Sequence, residues 1–326
     1  MVEEMRDAFG KMLVTLGQEN PNIFVLDADL NTSTKTSYFA EVFPRRFIQC
    51  GVAEQNMMGI AAGLAAMGLV PFPTTFAVFA TKRACDQVSI SIAYPKLNVK
   101  IPGCYPGLPT GKAGATHQSV EDLAIMRSMP HMSVIDPGDN EELRQVMRAV
   151  VDYHGPVYFR VTRAAVPKIP WPKGYKFEWG RAVTLRKGKD VALLGTGFMT
   201  SYCLQAADLL ATDGIEAQVD HHPCLKPIDR QAIAAAARKT GAIVTAENHS
   251  TIGGLGGAVA EVLGETCPVP MMRVGVKDHF VETGEIPDLF AKYEARPEDI
   301  VRAAREALRL KDSLRATWHS STTAVA

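Results

Sequence analysis

Apolar residues recur at Met5, Ala8, Phe9, Met12, Leu13 and Leu16. That spacing marks one face of a helix, so the chain opens on an amphipathic helix that stops at Asn20-Pro21-Asn22. Residues 23–26 form a short apolar run bounded by turn residues and read as a buried strand. It leads into Asp27-Ala28-Asp29 and a Thr/Ser-rich loop at 31–37. In parallel α/β sheets the loops after strand C-termini build the sites, which makes this loop a candidate. A second apolar run, 46–50, hands over at Gly51-Val52-Ala53-Glu54-Gln55-Asn56 to an Ala/Gly-rich helix ending near Gly68. Residues 69–75 carry Pro71 and Pro73 and read as a short or edge strand, because proline cannot donate to a ladder. Residues 76–94 read as one helix and 97–101 as a strand.

A long Gly/Pro loop, 102–116, ends at His117. Structureless loops of that length inside compact domains are usually functional. Ser119 and Asp122 read as a helix cap, 132–135 as a strand, and Asp139 with Glu142 as the cap of the next helix. Residues 157–161 close the sheet, with Arg163 just past its end. The alternation resumes with strands at 191–194, 215–220, 242–245 and 271–274, and helices at 201–213, 230–240 and 297–310. Strands alternating with helices in both halves predict an α/β chain of two domains, each a largely parallel sheet with flanking helices. The boundaries fall at 1–165 and 181–312, with a proline-bearing linker at 166–180 and a Ser/Thr/Ala-rich flexible tail at 313–326.

Composition narrows the function classes. Apolar residues make up 47% and charged residues 21%, a globular balance. Lys plus Arg equals Asp plus Glu at 35 each, so no basic surplus points to nucleic acid or an anionic membrane. The six cysteines are scattered with no C-x-x-C pair, which suits reduced thiols in the cytoplasm rather than a zinc module or a disulfide scaffold. The N-terminus lacks the apolar core of a signal peptide.

Several motifs lead nowhere chemical. Gly195-Thr196-Gly197 lacks the third glycine of the dinucleotide fingerprint and reads as a tight turn. Gly253 to Gly257 can cradle an anion at a helix start, although close helix–sheet packing explains it as well. His221 and His222 are adjacent on one strand and point to opposite faces, so they do not share a metal. No G-x-S-x-G elbow is present. Glu54 taken alone is a charge complementing a helix start.

Four motifs in series say more. Asp29-Leu30, Gly51-Val52-Ala53-Glu54-Gln55-Asn56, Thr75-Phe76-Ala77-Val78-Phe79 and Gly114-Ala115-Thr116-His117-Gln118 follow one another in an order and spacing that resembles the transketolase family of thiamine diphosphate enzymes. Lys226-Pro227-Ile228-Asp229 and Glu247-Asn248-His249 ahead of Gly253-Gly254-Leu255-Gly256 extend the resemblance. It covers the C-terminal half of that family only: the pyrimidine-binding fold and the transketolase C-terminal domain. The resemblance implies that Glu54 hydrogen-bonds N1′ of the cofactor's aminopyrimidine, a task suited to a carboxyl whose proton affinity burial can raise. It implies that Phe76 and Phe79 form the aromatic wall beside that ring, and that Asp29 is an acid near it. His117 then contacts the substrate's first hydroxyls, and Arg163 grips its terminal phosphate, as suits a planar fork.

Four departures qualify the resemblance. Tyr105 takes a substrate-binding position where relatives commonly carry a histidine, and Ala113 stands where they carry an aspartate; a modified ketose is therefore a candidate in place of the ordinary sugar phosphates. Lys82 stands where many relatives have an aromatic. The Gly-Asp-Gly…Asn motif that holds the diphosphate and Mg²⁺ is missing. No metal ligand is assigned here, and the resemblance implies an N-terminal partner subunit that brings the diphosphate and Mg²⁺ site, as an α2β2 assembly. The expected activity is ketol transfer from a ketose to an aldose. The alternatives are a β subunit of a 2-oxo acid dehydrogenase, a deoxyxylulose-phosphate-synthase-like half, and a non-catalytic regulatory subunit.

Overall fold

A computed structural model describes residues 3–323. Twelve strands carry the described part of the chain: β1 (Ile23–Asp27), β2 (Phe47–Gln49), β3 (Val70–Phe76), β4 (Lys100–Cys104), β5 (Ser133–Ile135), β6 (Val157–Val161), β7 (Val183–Arg186), β8 (Val191–Gly195), β9 (Ala217–His221), β10 (Cys224–Lys226), β11 (Ile243–Ser250) and β12 (Met271–Val276). They form a seven-stranded sheet of order β10-β5-β6-β4-β3-β1-β2 and a five-stranded sheet of order β12-β11-β8-β9-β7. Every pairing is parallel except β10 with β5 and β7 with β9. The expected pair of largely parallel α/β sheets is therefore present. Successive residues of the central strands enter opposite layers: Val25 joins the buried cluster that holds Phe9, Leu13 and Phe72, while Leu26 joins the one that holds Met57, Ala61 and Ile101. Sheets covered on both faces have this pattern, which is why the strands read as continuous apolar runs.

The prolines of β3 do not put it at an edge. It lies between β1 and β4. Val70 N–H donates to Asn22 O, so the donors of Val70, Phe72 and Thr74 face β1. Pro71 and Pro73 face the other side, where pairing to β4 begins only at Thr75 and Phe76. The missing donors fall where there is no ladder to serve.

Other differences follow from contacts that local pattern does not encode. The single helix expected at 76–94 is two π-helical segments, Phe79–Arg83 and Gln87–Ala93. The Ser119–Asp122 cap does not form: Glu121 holds the N-cap position of the helix Asp122–Ser128 without a side-chain cap bond, and the Asp122 carboxylate accepts from Arg160 instead. Asp139 does cap its helix, accepting from Glu141 N and Glu142 N. β10 comes from the second half of the chain yet pairs with β5, covering an edge of the first sheet. The last helix runs Pro297–Thr323, through much of the segment read as a flexible tail, since extending a formed helix costs far less than starting one. Residues 324–326 of that tail lie outside the described residues.

Candidate active site

Phe76 ends β3, and Glu54, Tyr105 and Arg163 follow the carboxyl ends of β2, β4 and β6. Strands running parallel in one sheet deliver these residues to the same edge. Glu54 is the first residue of the helix Glu54–Ala66, and its side chain is 1% exposed. Both carboxylate oxygens accept from Nη1 of Arg83, at 2.8 and 2.9 Å. The π turn Phe79–Arg83 lays the Arg83 guanidinium 4.3 Å from the centre of the Phe79 ring.

From Phe79 the contacts run on without a break. Phe79 and Phe76 stack at 5.9 Å, and Phe76 stacks on Tyr105 at 4.2 Å. The His117 ring meets both phenylalanines edge-on, at 5.4 Å from Phe79 and 5.8 Å from Phe76. Its Nδ1 lies 2.8 Å from the Thr116 hydroxyl. Arg163 donates to Thr110 O at 3.1 Å and lies 5.4 Å from the Tyr105 ring. It also lines a cavity of about 330 Å³ together with Glu4, Pro109, Lys112 and Glu285.

Tyr105 is buried with φ +60°, and its hydroxyl is engaged: Arg6 Nη1 donates to it at 2.6 Å. Asp29 is exposed two residues past β1, and its N–H donates to Gln49 Oε1. The acid that organises this corner is Asp27, which accepts from Leu30 N–H and from the hydroxyls of Thr34 and Thr36. Burial pushes the Asp27 carboxyl up, against those hydrogen bonds. Arg83, Arg6 and Asp27 were not singled out from sequence.

The second domain braces this edge. Asn248 accepts from Leu108 N–H at 2.9 Å and donates to Pro106 O, pinning the loop that leads to His117. A Cβ on Gly107, which has φ +63°, would meet Asn248 Oδ1 at 2.2 Å. Glu247 accepts from Leu255 N–H and Gly256 N–H, so the glycine-rich helix start cradles an anion that is the chain's own. Burial pushes Glu247 up to about 7. A Cβ on Gly254 would meet Glu247 Oε2 at 2.0 Å, which is the close packing the glycines permit. His249 Nε2 accepts from Ala124 N–H, and burial pushes its pKa down to about 4. His221 lies 2.8 Å from Glu142 and joins the two halves of the chain rather than a metal site. Among the described residues no three His, Cys, Asp or Glu side chains are grouped to hold a metal ion. No described helix is long and apolar enough to cross a membrane.

Residues 3–168 match the transketolase pyrimidine binding domain and residues 180–300 the transketolase C-terminal domain. A 6-deoxy-6-sulfo-D-fructose transketolase subunit, SqwH, of Clostridium sp. (strain MSTE9) is 46% identical over 94% of this chain and 95% of its own. An apulose-4-phosphate transketolase subunit of Phocaeicola vulgatus is 38% identical over 92% of this chain and 96% of its own. Among solved structures, a split-gene transketolase described as an inactive β4 tetramer superposes with TM-score 0.87 at 50% identity, covering 94% of this chain and 99% of that one. The 1-deoxy-D-xylulose-5-phosphate synthases are more distant: that of Geobacter sulfurreducens is 37% identical and is matched over 45% of its length.

Proposed function

The chain belongs to the transketolase family, and we propose that it is the C-terminal subunit of a split, thiamine-diphosphate-dependent transketolase that moves a two-carbon ketol unit from a ketose to an aldose. The single observation that carries this reading is the buried Glu54 carboxylate, joined through Arg83 to Phe79 on the sheet edge that also carries Phe76, His117 and Arg163.

The residues fit the pyrimidine end of the cofactor. Glu54 already takes two N–H bonds from a planar cation that lies on Phe79, so the pocket accepts a flat, nitrogen-bearing group with its edge on the carboxylate. When bound, thiamine diphosphate supplies the carbanion chemistry that cleaves the C2–C3 bond of a ketose. Glu54 holds a proton at N1′ of the pyrimidine. Phe79 and Phe76 would flank the ring and exclude water from it. His117 presents Nε2 to the hydroxyls of the ketol unit. The diphosphate and Mg²⁺ ligands are assigned to an N-terminal partner, since this chain lacks Gly-Asp-Gly. A cytoplasmic α2β2 assembly completes the reading.

The substrate is assigned as a ketose with a terminal oxyanion. Support comes from Arg163 at the cavity wall and from the similar subunits, which are named for a sulfo sugar and a sugar phosphate. Tyr105 shapes the pocket rather than reading hydroxyls, because Arg6 holds its own hydroxyl. Glu54→Ala, assembled with the partner, is expected to lose ketol transfer by a factor of about 10² or more, the scale of a lost proton-transfer group, with the fold intact by circular dichroism. Wild-type turnover in that variant would refute the assignment.

A further inference from the structure

Among the described residues the Arg83 side chain hydrogen-bonds to Glu54 alone. The Glu54 side chain is 1% exposed and that of Arg83 is 46% exposed, so the guanidinium covers the carboxylate on its solvent side. The same guanidinium lies on Phe79. A planar group with an N–H edge on a buried carboxylate and a π face on an aromatic ring does what an aminopyrimidine does in the same place. The two cannot be there together, because Arg83 takes both Glu54 oxygens and the ring face.

We propose that Arg83 is an internal stand-in for the cofactor's aminopyrimidine: it caps Glu54 until the ring arrives, then swings outward as the ring takes over both contacts. This rests on the reading that Glu54 and Phe79 receive the pyrimidine. The physical reason for such a device is the cost of a buried carboxylate with no counter-charge. Arg83 removes that cost in the cofactor-free subunit. Its half-exposed side chain is held by Glu54 and Phe79, so leaving requires the loss of those contacts only. Arg83 thereby competes with the cofactor, lowering its affinity while protecting the subunit that waits for it.

The test is calorimetric titration of thiamine diphosphate, with Mg²⁺, into the complex of this chain with its N-terminal partner. Wild type, Arg83→Met, Arg83→Lys and Glu54→Ala are compared, alongside the melting temperature of each chain alone. Arg83→Met is expected to tighten binding about tenfold, the scale of a partly exposed charge-assisted pair removed from competition, and to lower the melting temperature of the cofactor-free chain. Arg83→Lys, which keeps the charge but not the planar fork, falls between, and it carries the test if the methionine variant does not fold. Unchanged or weaker binding in the Arg83 variants, with wild type binding and Glu54→Ala weakened, overturns the stand-in alone. Wild type that does not bind, or Glu54→Ala that binds like wild type, overturns the pyrimidine-site reading and the stand-in with it.

Discussion

Replacing Arg160 with methionine should be among the most damaging single changes in this chain, and the reason lies in the charges it would strand. Arg160 is 1% exposed. Its Nε and Nη2 donate to the two oxygens of Asp122 at 2.8 and 2.6 Å, and Nη1 lies 3.4 Å from Asp136 and donates to Asn248 O at 3.0 Å. Burial works to raise the Asp122 carboxyl, yet Arg160 overcomes it and holds the group below its ordinary value. For Asp136 burial wins, and the carboxyl sits at about 6. Methionine fills much of the volume but leaves Asp122 without its counter-charge, a change that costs about 3–5 kcal/mol for buried pairs. That is a large fraction of the total stability of a typical domain, about 5–15 kcal/mol. Removing both partners, as Arg160→Met with Asp122→Leu, should recover part of the loss. Recovery stays incomplete because Tyr158, which donates to Asp122 at 2.6 Å, loses its acceptor. Urea unfolding of the wild type, both single variants and the double variant at pH 7.5 gives the coupling directly. A loss below about 1 kcal/mol in Arg160→Met, or single-variant losses that simply add, would refute the argument that the pair is held by mutual need.

Three further outcomes are expected. Neither ring nitrogen of buried His222 meets a hydrogen-bond partner within the described chain, and burial, helped by His221, pushes its pKa down to about 4. The unfolded chain takes up a proton near 6.5 while the folded one waits, so this contribution is complete above pH 6.5 and is lost as pH falls toward 4. His222→Leu should therefore gain about 2 kcal/mol on the wild type between pH 7.5 and pH 5, and parallel stability curves would contradict the assignment. Gly107→Ala should push Asn248 off the loop before His117; turnover of the assembled enzyme should fall while thiamine diphosphate affinity holds, and unchanged turnover would show that the loop is positioned otherwise. Arg163→Met should raise the KM for a ketose with a terminal oxyanion about tenfold or more but leave a neutral ketose nearly unaffected; equal effects on both would remove Arg163 from substrate recognition.

Much of this site was legible in the sequence because the fold is built from parallel strands. Each of Glu54, Phe76 and Arg163 follows an apolar run, and parallel runs in one sheet end on one edge. Phe79 and His117 came with the motifs around them. At the end of β1 the sequence does not separate the two acids: only the structure shows that Asp27 is buried on Thr34 and Thr36 while Asp29, two residues on, faces solvent. Arg83 and Arg6 were invisible for a different reason. Their partners, Glu54 and Tyr105, lie 29 and 99 residues away, and charged side chains on helices carry no sign of the residue they will reach. The crossing of β10 to the first sheet and the central place of β3 are likewise set by long-range pairing, which proline content and local periodicity do not report.

The most direct measurement of the central claim compares this chain alone with the chain mixed with a partner subunit bearing Gly-Asp-Gly. Thiamine diphosphate binding with Mg²⁺ and ketol transfer are followed in both. A subunit that holds only the pyrimidine end of the site predicts neither tight binding nor turnover alone, and both on mixing. Full turnover by this chain without a partner would contradict it.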